Sequence, residues 1–396
     1  MVLTLSILTL NIWGIPFISK DKDIRVHAIS DHFANSDYDI ISLQEVWSEY
    51  DFNKIRNRVA ERFPFSHYFY SGVVGSGLCI FSRHQILSAF FHHWAVNGYV
   101  HKIQHGDWFG GKGVGMCKIK VQDQIINFYI SHLHAEYSKK CDDYMTHRII
   151  QAFDTAQFLE TTRGECSLQI LAGDLNTEPQ DLAYRVLLST AGMKDAYEQK
   201  RSSFFATHEY KNNTYTPKEV VNGKDGIRID YVLYRSGSDY DCEVEEYNLP
   251  LLDMIPEHNI SYSDHEAVHT RISFRKKEKR SSRELDRMAL TDNIKNLKEC
   301  ITTCKNSLKA LESHRRSYSM MAIGLVVILI NILEISPAYG FKTIYFIVKF
   351  LIVGMTIFFA FMASLWNVME KHGILSGKLA MEIALKRDEA VLNESS

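Results

Sequence analysis

Apolar residues recur with two rhythms along this chain, and the change falls near residue 275. Up to Phe274 they form short β-type runs bounded by turn signals: VLTLSILTLN (2–11), DIISLQE (39–45), IINFYISH (125–132), LQILAGDLN (168–176), IRIDYVLY (227–234) and the alternating stretch that follows SDH (263–265). The opening run is apolar enough to suggest a secretory leader. It lacks a basic start and a small-residue cleavage site, so it reads as a buried strand. Beyond residue 275 the spacing becomes helical. Leu290, Ile294, Leu297, Ile301, Cys304, Leu308 and Leu311 make a seam of threes and fours. Two long apolar runs follow, Met320–Ile335 and Ile344–Trp366, separated by SPAYGFKT. A helical membrane span needs about 20 apolar residues, so the pair predicts a hairpin with both flanks on one side. Glu334 and Lys349 each cost about 2.5–3.5 kcal/mol at mid-helix; both sit toward the turn, where they can pair or snorkel. The segment after the second run is again helix-prone, with Leu375, Leu379 and Ile383 expected on its buried face. The hairpin returns it beside the seam, which favours intramolecular pairing over a homodimer through Leu290–Leu311. The expected units are a domain over 1–276, an amphipathic juxtamembrane helix over 277–317, the hairpin over 318–366, and a C-terminal helix and tail over 367–396.

Charge sets the orientation of that hairpin. RKKEKR (275–280) and HRR (314–316) precede it, and Lys371, Lys378, Lys386 and Arg387 follow it, whereas the turn carries only Lys342. Positive flanks stay inside, so the folded domain and both termini are expected in the cytosol, on the endoplasmic reticulum or another internal membrane. Seven cysteines without a CxxC pair suit reduced thiols in that compartment. The sequons at Asn212, Asn259 and Asn393 then read as chance. With 45 basic and 47 acidic residues the chain carries no excess positive charge, which argues against a nucleic-acid partner.

The chemistry lies at the ends of the β-type runs. Runs stop in Asn11, Glu45, His132 and Asp174 with Asn176, while IRIDYVLY carries Asp230 inside it and SDHEAV gives Asp264 with His265. Each alone has a plain explanation, since Asx residues cap and turn chains and a loop histidine can be solvated. Six such placements, each within or beside an apolar run, are harder to dismiss. Strands of one sheet pair would collect them on one rim, and carboxylates, amides and imidazoles together suit a metal ion and a phosphate.

The ordered set N-x-W, LQE, H-x-H, GD-x-N, DY and SDH resembles the endonuclease/exonuclease/phosphatase superfamily. NIWGIP, SGLCIFS, HGDWFGGKGVG, SHLHAEY and SDHEAV resemble, more narrowly, its magnesium-dependent neutral sphingomyelinases, which can also end in two membrane spans. That resemblance implies an α/β fold, a four-layered sandwich of the DNase I-like type. It implies Mg²⁺, with Mn²⁺ as a substitute, held by Glu45 with Asn11 and Asp264. It makes His265 the general base, Asp230 its orienting carboxylate, and Asp174 the group that positions water. Asn176 and His132 would bind non-bridging phosphoryl oxygens, with His132 also helping the alkoxide leave. Lys112, in a P-loop-like segment, would touch the phosphate, with Asp107 as its competitor. No Cys or Ser nucleophile signature appears.

The implied reaction is phospholipase C-type hydrolysis of sphingomyelin to ceramide and phosphocholine at a membrane. The alternatives are a phospholipase C for lyso-phosphocholine lipids, and a tethered nuclease or inositol-phosphate phosphatase of the same superfamily. Two apolar stretches lean toward lipid: LPLLDMI (249–255) and the aromatic-rich segment 90–109, whose rings could hold a choline cation.

Overall fold

The alternating runs become strands of two six-stranded sheets in a computed structural model that describes residues 2–102, 105–138, 141–200, 206–221, 226–278, 287–335 and 338–394. Lys279 and Arg280 of the basic run and Ser336–Pro337 of the turn lie outside the described residues. In chain order the strands are β1 (Val2–Asn11), β2 (Ile40–Gln44), β3 (Phe65–Tyr68), β4 (Cys79–Ser82), β5 (Gln85–His93), β6 (Gly113–Val121), β7 (Gln124–His132), β8 (Leu168–Asp174), β9 (Lys194–Asp195), β10 (Asp230–Ser236), β11 (Tyr240–Asn248) and β12 (Val268–Lys276). One sheet runs β11-β12-β1-β2-β4-β3, the other β5-β6-β7-β8-β10-β9. Central strands are buried on both faces, which is why they read as near-continuous apolar runs. One face of each sheet meets the other: Leu5, Ile7 and Ile80 pack with Ile126, Phe128, Ile170 and Val232.

Helices cover the outer faces. α1 (Lys22–Ala34) and α2 (Glu49–Val59) seat Val26, Ile29, Phe33, Phe52 and Ile55 on Leu8, Leu10, Ile41 and Leu43 of the first sheet. α3 (Met145–Thr161) and α4 (Leu182–Ala191) lay Ile149, Phe153, Val186 and Leu187 over Met116, Tyr129, Leu171 and Leu233 of the second. Two short helices, α5 (Ala196–Gln199) and α6 (Lys218–Val221), lie in the connection to β10. The result is the expected four-layered α/β sandwich.

The C-terminal third adds a further layer. α7 (Arg287–Leu333) runs unbroken from the seam through the first apolar run. Leu297, Cys300, Ile301 and Cys304 turn inward, in the same core as α3 and α4, while Ser189 Oγ donates to Asn293 Oδ1 at 2.7 Å. The seam, for which pairing within the chain was expected ahead of a homodimer, packs here against the chain's own α3, α4 and C-terminal helix. α8 (Lys342–Phe361) passes through a π-helical turn, Met362–Trp366, into α9 (Asn367–Glu394), which lies along α7 and α3. Its buried stripe differs from the expected one. Gly373, Ile374, Gly377, Met381 and Ala384 face the core, whereas Leu379 and Ile383 are exposed. The reason is distance: a Cβ on Gly373 would stand 2.6 Å from Val96 Cγ1, and one on Gly377 would stand 2.7 Å from Ile150 Cγ2. Small residues allow that approach and leucines do not. Glu370 Oε1 completes the contact, 2.5 Å from buried His147 Nε2.

α7 and the α8–α9 helix each contain a stretch long and apolar enough to cross a membrane, with side chains that no part of the domain covers. Lys349 Nζ lies 4.5 Å over the Tyr345 ring, and Glu334 sits just past the end of α7. All seven cysteines are free thiols.

Candidate active site

Strand direction gathers the polar endings. β1 and β2 are parallel, with Asn11 opposite Gln44, and β7 and β8 are parallel, with His132 opposite Asp174. β10 runs antiparallel to β8 so that Asp230, its first residue, pairs with Asp174, the last of β8. Stacked sheets then bring both sets of ends to one rim. Asn11 Nδ2 bridges them, donating to Glu45 Oε1 at 3.1 Å and to Asp174 Oδ2 at 3.0 Å. Glu45 follows β2 with φ +59°, in the left-handed region. Asn176 is there too, at φ +45°; its backbone N–H donates to Asp174 Oδ1 (2.9 Å) and its Nδ2 to Leu133 O (3.1 Å). Such backbone outliers in two non-glycine residues cluster at functional sites.

His265 and Asp230 form a buried dyad, with 2.9 Å between Nδ1 and Oδ2. The other ring nitrogen, Nε2, points toward Asp174 Oδ2 at 3.9 Å. Asp230 is itself fixed by its backbone N–H, which donates to Thr207 Oγ1 at 3.1 Å. Ser263 Oγ donates to Asn11 O at 2.7 Å and accepts from the His265 N–H at 3.3 Å, so the SDH loop is sewn onto the end of β1.

Lys112 is buried, and its partners differ from a solvated lysine's. Its Nζ pairs with Asp107 Oδ1 at 2.6 Å, donates to Leu133 O at 3.1 Å, and stands 3.3 Å from His132 Nε2. Asp107 in turn receives Tyr137 Oη–H at 2.7 Å and lies 3.5 Å from His134 Nε2. Expected as competitors, Lys112 and Asp107 are one ion pair in the pocket wall.

The charges explain what the rim can bind. Burial and the neighbouring Asp264 hold the Glu45 carboxyl above its ordinary range, and burial raises Asp264 as well. Asp174 is pushed up to about 7 by burial and by Asp230. Burial favours neutral His265, yet Asp230, Asp174 and Asp264 outweigh it and raise the imidazole well above its usual value. Burial, helped by Lys112, keeps His132 neutral. At Asp107 burial is overcome by Lys112, His134 and Tyr137, and the carboxyl stays ionised. The rim is thus short of positive charge, and Glu45 Oε2 is buried with no hydrogen-bond partner. Oxygen donors in that state suit a hard divalent cation. Ligand atoms also converge within 4.8 Å in two sets among the described residues, His208/Asp264/His265 and Asp174/Asp230/His265. Because Asp230 occupies His265 Nδ1, the carboxylates are the better home for such an ion.

Glu45, Lys112, His132, Asp174, Asn176, Asp264 and His265 all border one cavity of about 990 Å³. Trp13, Trp47, Tyr68, Tyr70 and Tyr137 border it too. Among the described residues of the two stretches expected to favour lipid, none of LPLLDMI and only His105, Gly106 and Asp107 of 90–109 border this cavity, although Leu252, Met254, Phe90 and Trp108 are exposed. Leu249, Leu251 and Ile255 are buried away from the cavity, Leu249 in the inter-sheet core and Leu251 under α1 and α2. In 90–109 the rings serve packing: Phe90 and His92 stack on Phe158, and Tyr99 lies against Tyr144 and His147. Sequence reasoning missed Thr207, Ser263 and His208, whose ring lies 4.4 Å from that of His265. The legible signal is a carboxylate, amide or imidazole beside a strand-length apolar run, and THEYKNN (207–213) lies beside no such run.

Residues 8–265 match the profile of the Endonuclease/Exonuclease/phosphatase family. A Drosophila melanogaster protein named "Putative neutral sphingomyelinase" is 41% identical over 97% of this chain and 98% of its own length. Human "Sphingomyelin phosphodiesterase 2" is 38% identical over 67% of this chain and 64% of its own. Among solved structures, sphingomyelinase C from Streptomyces griseocarneus superposes with a TM-score of 0.51, at 17% identity over 68% of this chain and 99% of that one, a likeness of fold. With its sandwich, its rim and these relatives, the chain belongs to the endonuclease/exonuclease/phosphatase family, on the neutral sphingomyelinase branch.

Proposed function

We propose that the chain hydrolyses sphingomyelin to ceramide and phosphocholine in the phospholipase C manner, with Mg²⁺ as cofactor. The observation that carries this reading is the His265–Asp230 dyad, aimed at Asp174 on the floor of the cavity. Glu45, with Asn11 and Asp264, would hold the ion, which when bound polarises a phosphoryl oxygen and supplies the positive charge that lets His265 start unprotonated. His265 Nε2 takes a proton from water placed against Asp174. The water oxygen bonds to phosphorus as the bond to the ceramide oxygen breaks. Asp230 keeps the ring oriented and stabilises the imidazolium. Lys112, Asn176 and neutral His132 face the non-bridging oxygens, where charge builds. The departing alkoxide takes a proton from solvent or along the Lys112–His132 contact. Aromatic residues of the cavity wall give the trimethylammonium group apolar and cation–π contact.

We place the domain on the cytosolic side of the membrane that α7 and α8 would cross, with no nucleic-acid partner, in keeping with the balanced charge. Hydrolysis in H₂¹⁸O tests the reaction: the label should enter phosphocholine and not ceramide. Lysophosphatidylcholine, a phosphoinositol lipid and single-stranded DNA run beside sphingomyelin. Preferential cleavage of DNA or of the phosphoinositol lipid would remove the headgroup assignment.

A further inference from the structure

The cavity has an apolar collar that the catalytic chemistry does not use. Ile15, Pro16 and Ile18 of one loop and Val73 and Val74 of another border it. Phe17 is fully exposed, Val73 84% and Ile18 69% exposed. Apolar residues in contiguous exposure at a pocket mouth call for a partner. These are built loops. Arg25 is buried, and its guanidinium donates to Ile12 O at 2.6 Å, Trp13 O at 2.8 Å and Lys20 O at 2.9 Å. Ser19 Oγ accepts from the Ile15 N–H, and Phe17 is held at φ +64°, strained for a bulky residue.

The second loop is joined to the foot of the helical hairpin. Gly72 bridges Gly110, Gly111 N donates to Gly75 O at 3.0 Å, and Val74 N donates to Phe109 O at 3.4 Å. The residue next to Phe109, Trp108, sets its ring edge-on to Trp366, 6.1 Å between centroids. Trp366 ends the π-helical turn at which the bare apolar side chains of α8 give way to buried ones on α9. A tryptophan there marks the level of a membrane surface. Val73 and Val74 thus stand one backbone spacing from a segment fixed at that level, on the rim of the cavity whose floor holds His265.

From this continuity we infer that Phe17, Ile18, Val73 and Val74 rest in the acyl region of the same bilayer leaflet from which the hairpin emerges. Lipid then enters sideways: the headgroup descends to the rim while the chains stay among their neighbours. The inference rests on the membrane and lipid-hydrolase readings above.

The test uses the full-length chain in lipid nanodiscs, with Cys141→Ser and Cys242→Ser to clear reactive thiols. A fluorophore is placed at Phe17→Cys, at Val73→Cys, or at Asp123→Cys on the opposite end of the sandwich. Lipids carrying a quencher near the headgroup end of the acyl chain should quench the first two and spare the third. The Phe17→Ser/Val73→Ser variant should lose about tenfold or more turnover on bilayer sphingomyelin. On monomeric short-chain sphingomyelin it should stay within twofold of the parent. Unquenched probes in a chain that resists alkaline carbonate extraction would overturn the collar alone. Equal losses on both substrates would overturn it too. Release by carbonate would overturn the membrane reading beneath it, and a parent chain inert on the short-chain lipid would overturn the hydrolase reading.

Discussion

Replacing Asp230 with Asn keeps the side chain's shape but removes the charge that faces His265 Nδ1 at 2.9 Å. Two unit charges at that separation interact by about 6 kcal/mol at an effective dielectric of 20, an upper bound for the loss. The lower bound is a charge-assisted hydrogen bond, about 1.5–3 kcal/mol. Because Asp174 and Asp264 still face the ring, the loss should fall between, near 3–4 kcal/mol. At 1.36 kcal/mol per decade that is roughly 10²–10³ in kcat, with KM little changed, since the charge matters most when the imidazolium forms. The assay is phosphocholine release from sphingomyelin in mixed micelles at saturating Mg²⁺, beside thermal unfolding to show that the fold is intact. A folded Asp230→Asn enzyme within fivefold of the parent would refute the dyad.

Glu45→Gln removes a buried carboxylate that burial and Asp264 already disfavour. In EDTA its Tm should stay level or rise, while activity falls by about two decades or more and the Tm gain on adding Mg²⁺ shrinks; an undiminished gain would take Glu45 out of the metal site. Lys112→Met strands the ionised Asp107 and should destabilise the fold by about 3–5 kcal/mol. Adding Asp107→Asn should restore most of that stability in denaturant titration but not the turnover. A fully active double variant would make the pair merely structural.

Strand-end residues were legible because the two strand pairs at the heart of the sheets, β1–β2 and β7–β8, are parallel. An apolar run that stops in Asn11, Glu45, His132 or Asp174 carries its polar end to the same rim as the others, and the chain shows where each run stops. Partnerships across loops were not legible. Lys112 meets Asp107 through a 3-10 turn, and the segment after it is seated only because Gly111 packs on Ser71 and Gly72 too closely for any Cβ. His208 reaches His265 through a bridge between irregular segments, which leaves no periodic trace. The buried face of α9 was misread for a physical reason: hydropathy selects Leu379 and Ile383, whereas close packing on α3 and Val96 selects Gly373, Gly377 and Ala384. LPLLDMI misled in the reverse sense at Leu249 and Leu251, which belong to the core, while Leu252 and Met254 stay exposed.

In the proposed reaction a cation and the His265 base together hydrolyse a phosphocholine lipid. The most direct measurement is phosphocholine release from sphingomyelin by the parent and by His265→Ala, each in Mg²⁺ and in EDTA. The parent should act only with Mg²⁺ and recover when the ion is returned, and His265→Ala should be slower by a factor of about 10² or more. Release that persists in EDTA, or a His265→Ala enzyme within tenfold of the parent, would contradict it.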